Sequence, residues 1–187
     1  MRIVLFHIAI LLILASCRES NNEPLPQDEN FVLEAPGNLG KIPEIEVNKP
    51  SRDKIEIGRM LFYDPILSGN NRISCATCHD QRKAFSDGLA LSDRGISGNR
   101  LLRHAPALFN LVWMDGLFWD GGSIHLESLS IAPLSHPDEM NQDISELLEE
   151  IKSNPSYSEA IKTAFQAEEV ELNHILFALA QFQRFLI

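Results

Sequence analysis

Two cysteines three residues apart, Cys75 and Cys78, are followed at once by His79 in the stretch RISCATCHDQ. Three chemistries use cysteines at this spacing. A thioredoxin-type redox pair sits at a helix start in a βαβ unit, and no alternating strand pattern of useful length occurs in the chain. A zinc site needs four ligands. No second cysteine pair exists to supply them, and His79 directly after Cys78 is poorly placed to share the same tetrahedron. Covalent haem attachment needs two thiols that reach both vinyl groups and an imidazole beneath the iron, and C-x-x-C-H supplies all three. The motif reads as a haem c site, with Cys75 and Cys78 as the thioether links and His79 as the proximal iron ligand.

That chemistry needs export, and the N-terminus provides for it. Arg2 precedes a short apolar run, Ile3–Leu14, which ends in Leu14-Ala15-Ser16-Cys17. A basic start, an apolar stretch and small residues before the break make a secretory signal. The run falls short of the roughly 20 apolar residues of a spanning helix. Leu-Ala-Ser-Cys also resembles a bacterial lipobox, so residues 1–16 are expected to be cleaved and Cys17 to be lipidated. An acylated cysteine would hold the protein on a membrane face. What remains carries 15 basic against 26 acidic residues, a formal charge of −11. This excludes nucleic acid, which wants a basic patch, and suits a redox partner in the cell envelope, on the periplasmic side.

Residues 17–50 are polar and rich in Pro, Asn and Glu, and they read as a flexible tether. The spacing then predicts a helix in SRDKIEIGRMLFYDP, capped by Ser51, with Ile57, Met60 and Leu61 on one face and Pro65 ending it. Residues 66–122 are mostly loop, which a compact domain tolerates when a large buried cofactor organises it. Helical stripes return with Ile144, Leu147, Leu148 and Ile151 behind an Asp143/Glu146 box. A third helix is expected behind Ser156 and Glu159, and a fourth carries Leu172, Ile175, Leu176, Leu179 and Phe182. The expected architecture is all-α, a cytochrome c-like haem domain over residues 51–187 with long loops around the cofactor. Its final Phe185-Leu186-Ile187 is apolar and uncapped, so the domain is expected to be cut short before a second one.

Whether such a haem carries electrons or does chemistry turns on its sixth ligand. Met60, Met114, Met140, His104, His125, His136 and His174 are candidates. Each also has a plainer reading: Met60 as core, His174 as helix surface, His136 as a solvated loop residue.

Beyond the haem motif, IGRMLFYDPILSGNNRISCATCHD, AFSDG, RHAPALFN, FWDGG and PLSHPDEM follow one another in order. This set resembles the N-terminal half of the bacterial di-haem cytochrome c peroxidase/MauG family, and the resemblance covers nearly all of residues 52–187. It implies that Cys75, Cys78 and His79 hold the peroxidatic haem. It implies that Glu139 is the distal-pocket glutamate that moves a proton during peroxide cleavage, and that Trp119 is the tryptophan lying between two haems on the electron path. A positioned carboxylate suits the first task, and an oxidisable, flat indole suits the second. The plainer readings are a helix cap for Glu139 and a core position for Trp119.

The chain departs from the family in four places. LSDRGISGNR lacks the histidine that caps the resting iron in many members, which implies an iron open at rest. Leu129 stands where a distal glutamine is found elsewhere. His104 replaces an asparagine that helps bind calcium, which puts calcium in doubt. No second C-x-x-C-H is present, so one haem c is expected in this chain. The implied function is reduction of hydrogen peroxide to water with electrons from a donor cytochrome or cupredoxin, and a homodimer is among the assemblies to expect. Two alternatives stay open: a monohaem electron-transfer protein, and a MauG-like redox module acting on a protein substrate.

Overall fold

Ser51 starts the first helix by taking the Lys54 N–H on its hydroxyl at 3.2 Å, the bond an N-cap serine makes to an otherwise unpaired amide. The helix, α1, spans Arg52–Tyr63. It stops because Pro65 forbids helical geometry to Asp64, which turns extended at φ −88° and ψ 127°. The Asp64 carboxylate then takes the Ile66 N–H at 2.8 Å and opens a 3₁₀ turn, Pro65–Leu67. The computed structural model describes residues 31–187. The expected signal segment and Cys17 lie outside them.

Among the described residues six further α-helical segments follow, α2 (Cys75–Cys78), α3 (Leu126–Leu129), α4 (Ile131–Ser135), α5 (Ile144–Ser153), α6 (Pro155–Phe165) and α7 (Leu172–Phe185), with 3₁₀ turns at Gln81–Lys83 and Leu111–Trp113. Asp143 caps α5 by accepting the Ser145 and Glu146 amides at 2.8 and 3.1 Å. The start of α6 corrects the sequence expectation. Asn154, not Ser156, is the cap: its side chain takes the Ser156 N–H at 3.1 Å. Pro155 occupies the first helical position, where its fixed φ fits and no N–H is needed. Among the described residues there are no strands, only isolated bridges at Asp80–Ser86 and Leu117–Ser123, so the all-α expectation holds.

The core forms where α1 crosses α7. Gly58 is buried there, and a Cβ at its position would lie 1.9 Å from the Ala178 carbonyl oxygen. The two backbones touch, and only glycine allows it. Around this crossing Ile57, Leu61 and Phe62 of α1 pack with Ile175, Leu179 and Phe182 of α7, all buried. Leu147, Ile151 and Ile161 bring α5 and α6 onto the same cluster. Each such side chain stabilises the fold by roughly 1.5–3 kcal/mol on burial.

The segment before α1 does not stay clear of the body. The Trp113 indole N–H donates to the Lys41 carbonyl at 3.1 Å. Asn48 is 1% exposed; its amide donates to the Phe177 carbonyl at 3.0 Å and to Glu127 at 3.3 Å, and its own carbonyl accepts from Gln181. Beside it Glu127 and Arg184 form an ion pair, the carboxylate side chain 14% and the guanidinium 9% exposed. A polar knot thus ties Asn48, α3 and α7 together, while Lys41 is held separately by Trp113.

Candidate haem site

The two thiols sit on the single turn of α2. Thr77 closes that turn by taking the Ser74 N–H on its hydroxyl at 3.0 Å, and the His79 amide returns to the Cys75 carbonyl at 2.9 Å. Both cysteines are free and partly exposed. Burial pushes the Cys75 thiol up to about 12. Burial also raises Cys78 to about 11, helped by Asp87 and Glu139 and opposed by the Ser92 hydroxyl and Arg94. Neither thiol has the lowered pKa of an activated redox cysteine, and among the described residues no strands supply the βαβ unit of a thioredoxin-type pair.

His79 is oriented by the backbone. Its Nδ1 lies 2.7 Å from the Phe85 carbonyl oxygen and 3.1 Å from that of Pro106. Two acceptors at Nδ1 fix the proton there, which leaves the lone pair on Nε2 for a metal. Burial pulls its pKa below the usual histidine value, against the two carbonyls and Asp87, so the ring is neutral, as a ligand must be. The Phe85 carbonyl is presented by a strained turn. Ala84 and Phe85 both occupy the left-handed region, at φ 56° and 58°, which costs of order 1–3 kcal/mol each for residues with a side chain. The turn is closed by Asp80 N–H to Ser86 O at 3.1 Å and Phe85 N–H to Asp80 O at 2.9 Å.

Beside α2 opens a cleft of about 290 Å³ lined by Ala76, Thr77, Asp80, Arg82, Lys83, Asp87 and Arg94. Asp87 is 1% exposed. One of its carboxylate oxygens takes the Leu89 N–H at 3.0 Å, and the other, Oδ2, is buried with no hydrogen-bond partner. Two thiols and a neutral imidazole with a free Nε2 on one short segment fit a covalently held haem c.

Glu139 reaches the same region, since its charge acts on Cys78. It caps no helix; Asp143 does that. Its carboxyl pKa is raised by burial, against the pull of His136 and with a push from Asp138. His136 Nδ1 stands 3.9 Å from the Glu139 carboxylate and takes the Asp138 N–H at 3.2 Å. The stretch LSDRGISGNR is laced onto this turn. The Ile96 N–H donates to the Glu139 carbonyl at 2.7 Å, Asn99 donates to Asp138 at 2.9 Å, and Gly95 lies against the Asp138 carbonyl, where a Cβ would be 1.8 Å away.

Trp119 is 86% exposed, which overturns the core reading of that residue. Its ring meets His104 edge-on at 6.1 Å, and an Arg103–Asp120 ion pair at 2.9 Å holds the loop. Leu129 is buried in the hydrophobic cluster. Of the candidate sixth ligands, Met140 is buried in that same core and Met60 packs against it, while Met114, His104, His125 and His136 are exposed. His174 takes the Glu171 N–H at 3.1 Å and stacks on Phe165 at 4.9 Å. Among the described residues no three His, Cys, Asp or Glu side chains converge on a metal site. Phe85, Pro106 and Asp87 carry no role in the sequence reading; AFSDG and RHAPALFN contain them, but a carbonyl's aim has no residue-type signature.

A model of the family described as di-haem cytochrome c peroxidase matches residues 52–187. The methylamine utilization protein MauG of Methylorubrum extorquens is 37% identical over 147 residues, covering 78% of this chain and 41% of that protein. The cytochrome c551 peroxidase of Nitrosomonas europaea is 33% identical over 143 residues, with 75% and 42% covered. Among solved structures, a MauG-like protein associated with microbial copper homeostasis superimposes with a TM-score of 0.72 at 32% identity, over 82% of this chain and 47% of that one. The chain spans 41% and 42% of the lengths of these two curated relatives. The cytochrome c-like fold expected from the sequence holds.

Proposed function

The chain belongs to the di-haem cytochrome c peroxidase family of haem c oxidoreductases, and on that premise we propose that it reduces hydrogen peroxide to water with electrons from a cytochrome or cupredoxin donor. The observation that carries this reading is His79: Nδ1 is saturated by the Phe85 and Pro106 carbonyls, Nε2 is free, and two thiols stand one turn away. Cys75 and Cys78 would hold haem c, one in this chain, with His79 as the iron ligand. When bound, haem supplies an iron able to take part in splitting the peroxide O–O bond.

The protein's own residues handle the protons. Glu139 accepts a proton from one peroxide oxygen on its carboxylate and returns it to the other, so that the leaving oxygen departs as water. Burial suits it to both halves of the task, because it raises the carboxyl pKa above that of an ordinary glutamate and makes the carboxylate a stronger proton acceptor. Leu129 keeps that side apolar. No histidine in LSDRGISGNR has to leave first, so peroxide enters at rest. Trp119, exposed and oxidisable, stands on the electron path between this haem and a second one. Cys17 carries lipid and holds the protein on the periplasmic side of a membrane, and labelled fatty acid should enter wild type but not Cys17→Ala.

The test is rapid mixing of ferric, haem-loaded protein with hydrogen peroxide. Glu139→Gln preserves shape but accepts no proton, so the optical change should slow by roughly 10²–10⁴-fold. An unchanged rate would remove Glu139 from the reaction.

A further inference from the structure

Two routes lead from His79 to the protein surface, and both end at Tyr63. In the first, the Phe62 ring lies 6.4 Å from the His79 ring and 5.4 Å from Tyr63, edge to face with the latter. In the second, Phe85, whose carbonyl takes the His79 Nδ1–H, packs its ring against Phe182 at 6.3 Å, and Phe182 meets Tyr63 at 6.4 Å. Phe62, Phe85 and Phe182 are buried. Tyr63 is 41% exposed, and its hydroxyl donates to the Gln81 side-chain oxygen at 3.3 Å.

We propose that Tyr63 is a redox-active relay that carries one oxidising equivalent from the His79 side of the haem to the protein surface. This rests on the proposed reaction of peroxide at a haem held by Cys75, Cys78 and His79. The three phenylalanines are hard to oxidise and act as a close-packed bridge that keeps water out. A phenol differs because it can lose an electron together with its proton, provided something takes the proton. The water around this half-exposed ring takes it, while Gln81 Oε1 holds the hydroxyl in a hydrogen bond. Each peroxide reduced to two waters takes up two electrons and two protons. Tyr63 supplies one electron and releases its phenolic proton, becoming a neutral tyrosyl radical, and the donor supplies the other electron. A one-electron donor at the surface then reduces Tyr63, which recovers a proton from solvent. Tyr157 has no such connection: its hydroxyl donates to Asp64 at 2.7 Å, and no aromatic ring among the described residues packs against it. Trp119 lies apart, against His104.

Tyr63 and Tyr157 are the chain's two tyrosines, so two substitutions test the set. Ferric, haem-loaded protein is mixed with hydrogen peroxide, frozen and read by electron paramagnetic resonance, with an optical spectrum of the same sample. A tyrosyl signal that narrows with ring-deuterated tyrosine, persists in Tyr157→Phe and is lost in Tyr63→Phe is expected. Tyr63→Phe keeps the ring packing and should keep its haem and its optical response to peroxide. A sample whose optical spectrum shows reaction but which forms no tyrosyl radical, or in which the radical survives Tyr63→Phe, would overturn the relay alone. No optical change with peroxide would overturn the peroxidase reading beneath it.

Discussion

His79 Nδ1 lies 2.7 Å from the carbonyl oxygen of Phe85, whose own backbone sits in the left-handed region at φ 58°. A bulky aromatic rarely adopts that geometry, and here it aims a carbonyl at an imidazole. The Asp80–Ser86 bridge and the buried Phe85 ring hold the turn in place. The result is a histidine with one tautomer and one orientation before any metal arrives, which is how ligand basicity and aim are set from outside the ligand itself.

Covalent attachment gives the first prediction. Wild-type protein made with export and haem-maturation machinery should keep its haem through denaturing electrophoresis. Cys75→Ala plus Cys78→Ala should lose the haem stain from the protein band. Loss from wild type as well would remove the thioether assignment.

The raised pKa of Glu139 gives the second, with a definite sign. Only the ionised carboxylate can accept the peroxide proton, so the rate of peroxide cleavage should fall as pH drops through the Glu139 pKa. Burial places that limb above the roughly 4.3 of an ordinary glutamate. The pH dependence of the rapid-mixing rate should therefore show an acid limb displaced upward, and Glu139→Gln should abolish the limb and not merely lower the plateau. A limb that persists unchanged in the variant belongs to another group.

The Glu127–Arg184 pair gives the third. Removing one partner leaves a buried charge uncompensated, which costs about 3–5 kcal/mol. Glu127→Ala or Arg184→Ala should each lower the denaturant midpoint strongly. Because a paired buried charge contributes little net stability over an apolar pair of similar volume, Glu127→Leu with Arg184→Met should cost less than either single alanine. Additive losses in the double variant would contradict that account.

Much of the helical frame was legible beforehand because its cause is local. Ser51 and Asp143 cap where their types suggest, and the stripes of α1, α5 and α7 bury or half-bury the residues that their spacing marks. The start of α6 was misplaced because Ser156 and Glu159 mimic a capping box, while the Asn154-Pro155 pair is the true signal. Asn48 could not be read at all. It sits in a polar stretch, and its partners, Glu127, Phe177 and Gln181, lie 79 to 133 residues further on. The exposure of Trp119 was equally hidden, because hydrophobicity does not say which indoles the core leaves outside. At the site, Cys75, Cys78, His79 and Glu139 were named from residue type and order, but the Phe85 and Pro106 carbonyls that aim His79 belong to the backbone.

The account stands most directly on the state of the resting iron. On the proposed reading His79 would be the protein's ligand to that iron and Glu139 would serve the incoming peroxide. Low-temperature electron paramagnetic resonance of ferric, haem-loaded protein reads that state without any turnover. The account predicts a predominantly high-spin signal. A purely low-spin signal, abolished by replacing Met114, Met140 or His104, would contradict it and show an electron carrier with both axial positions filled.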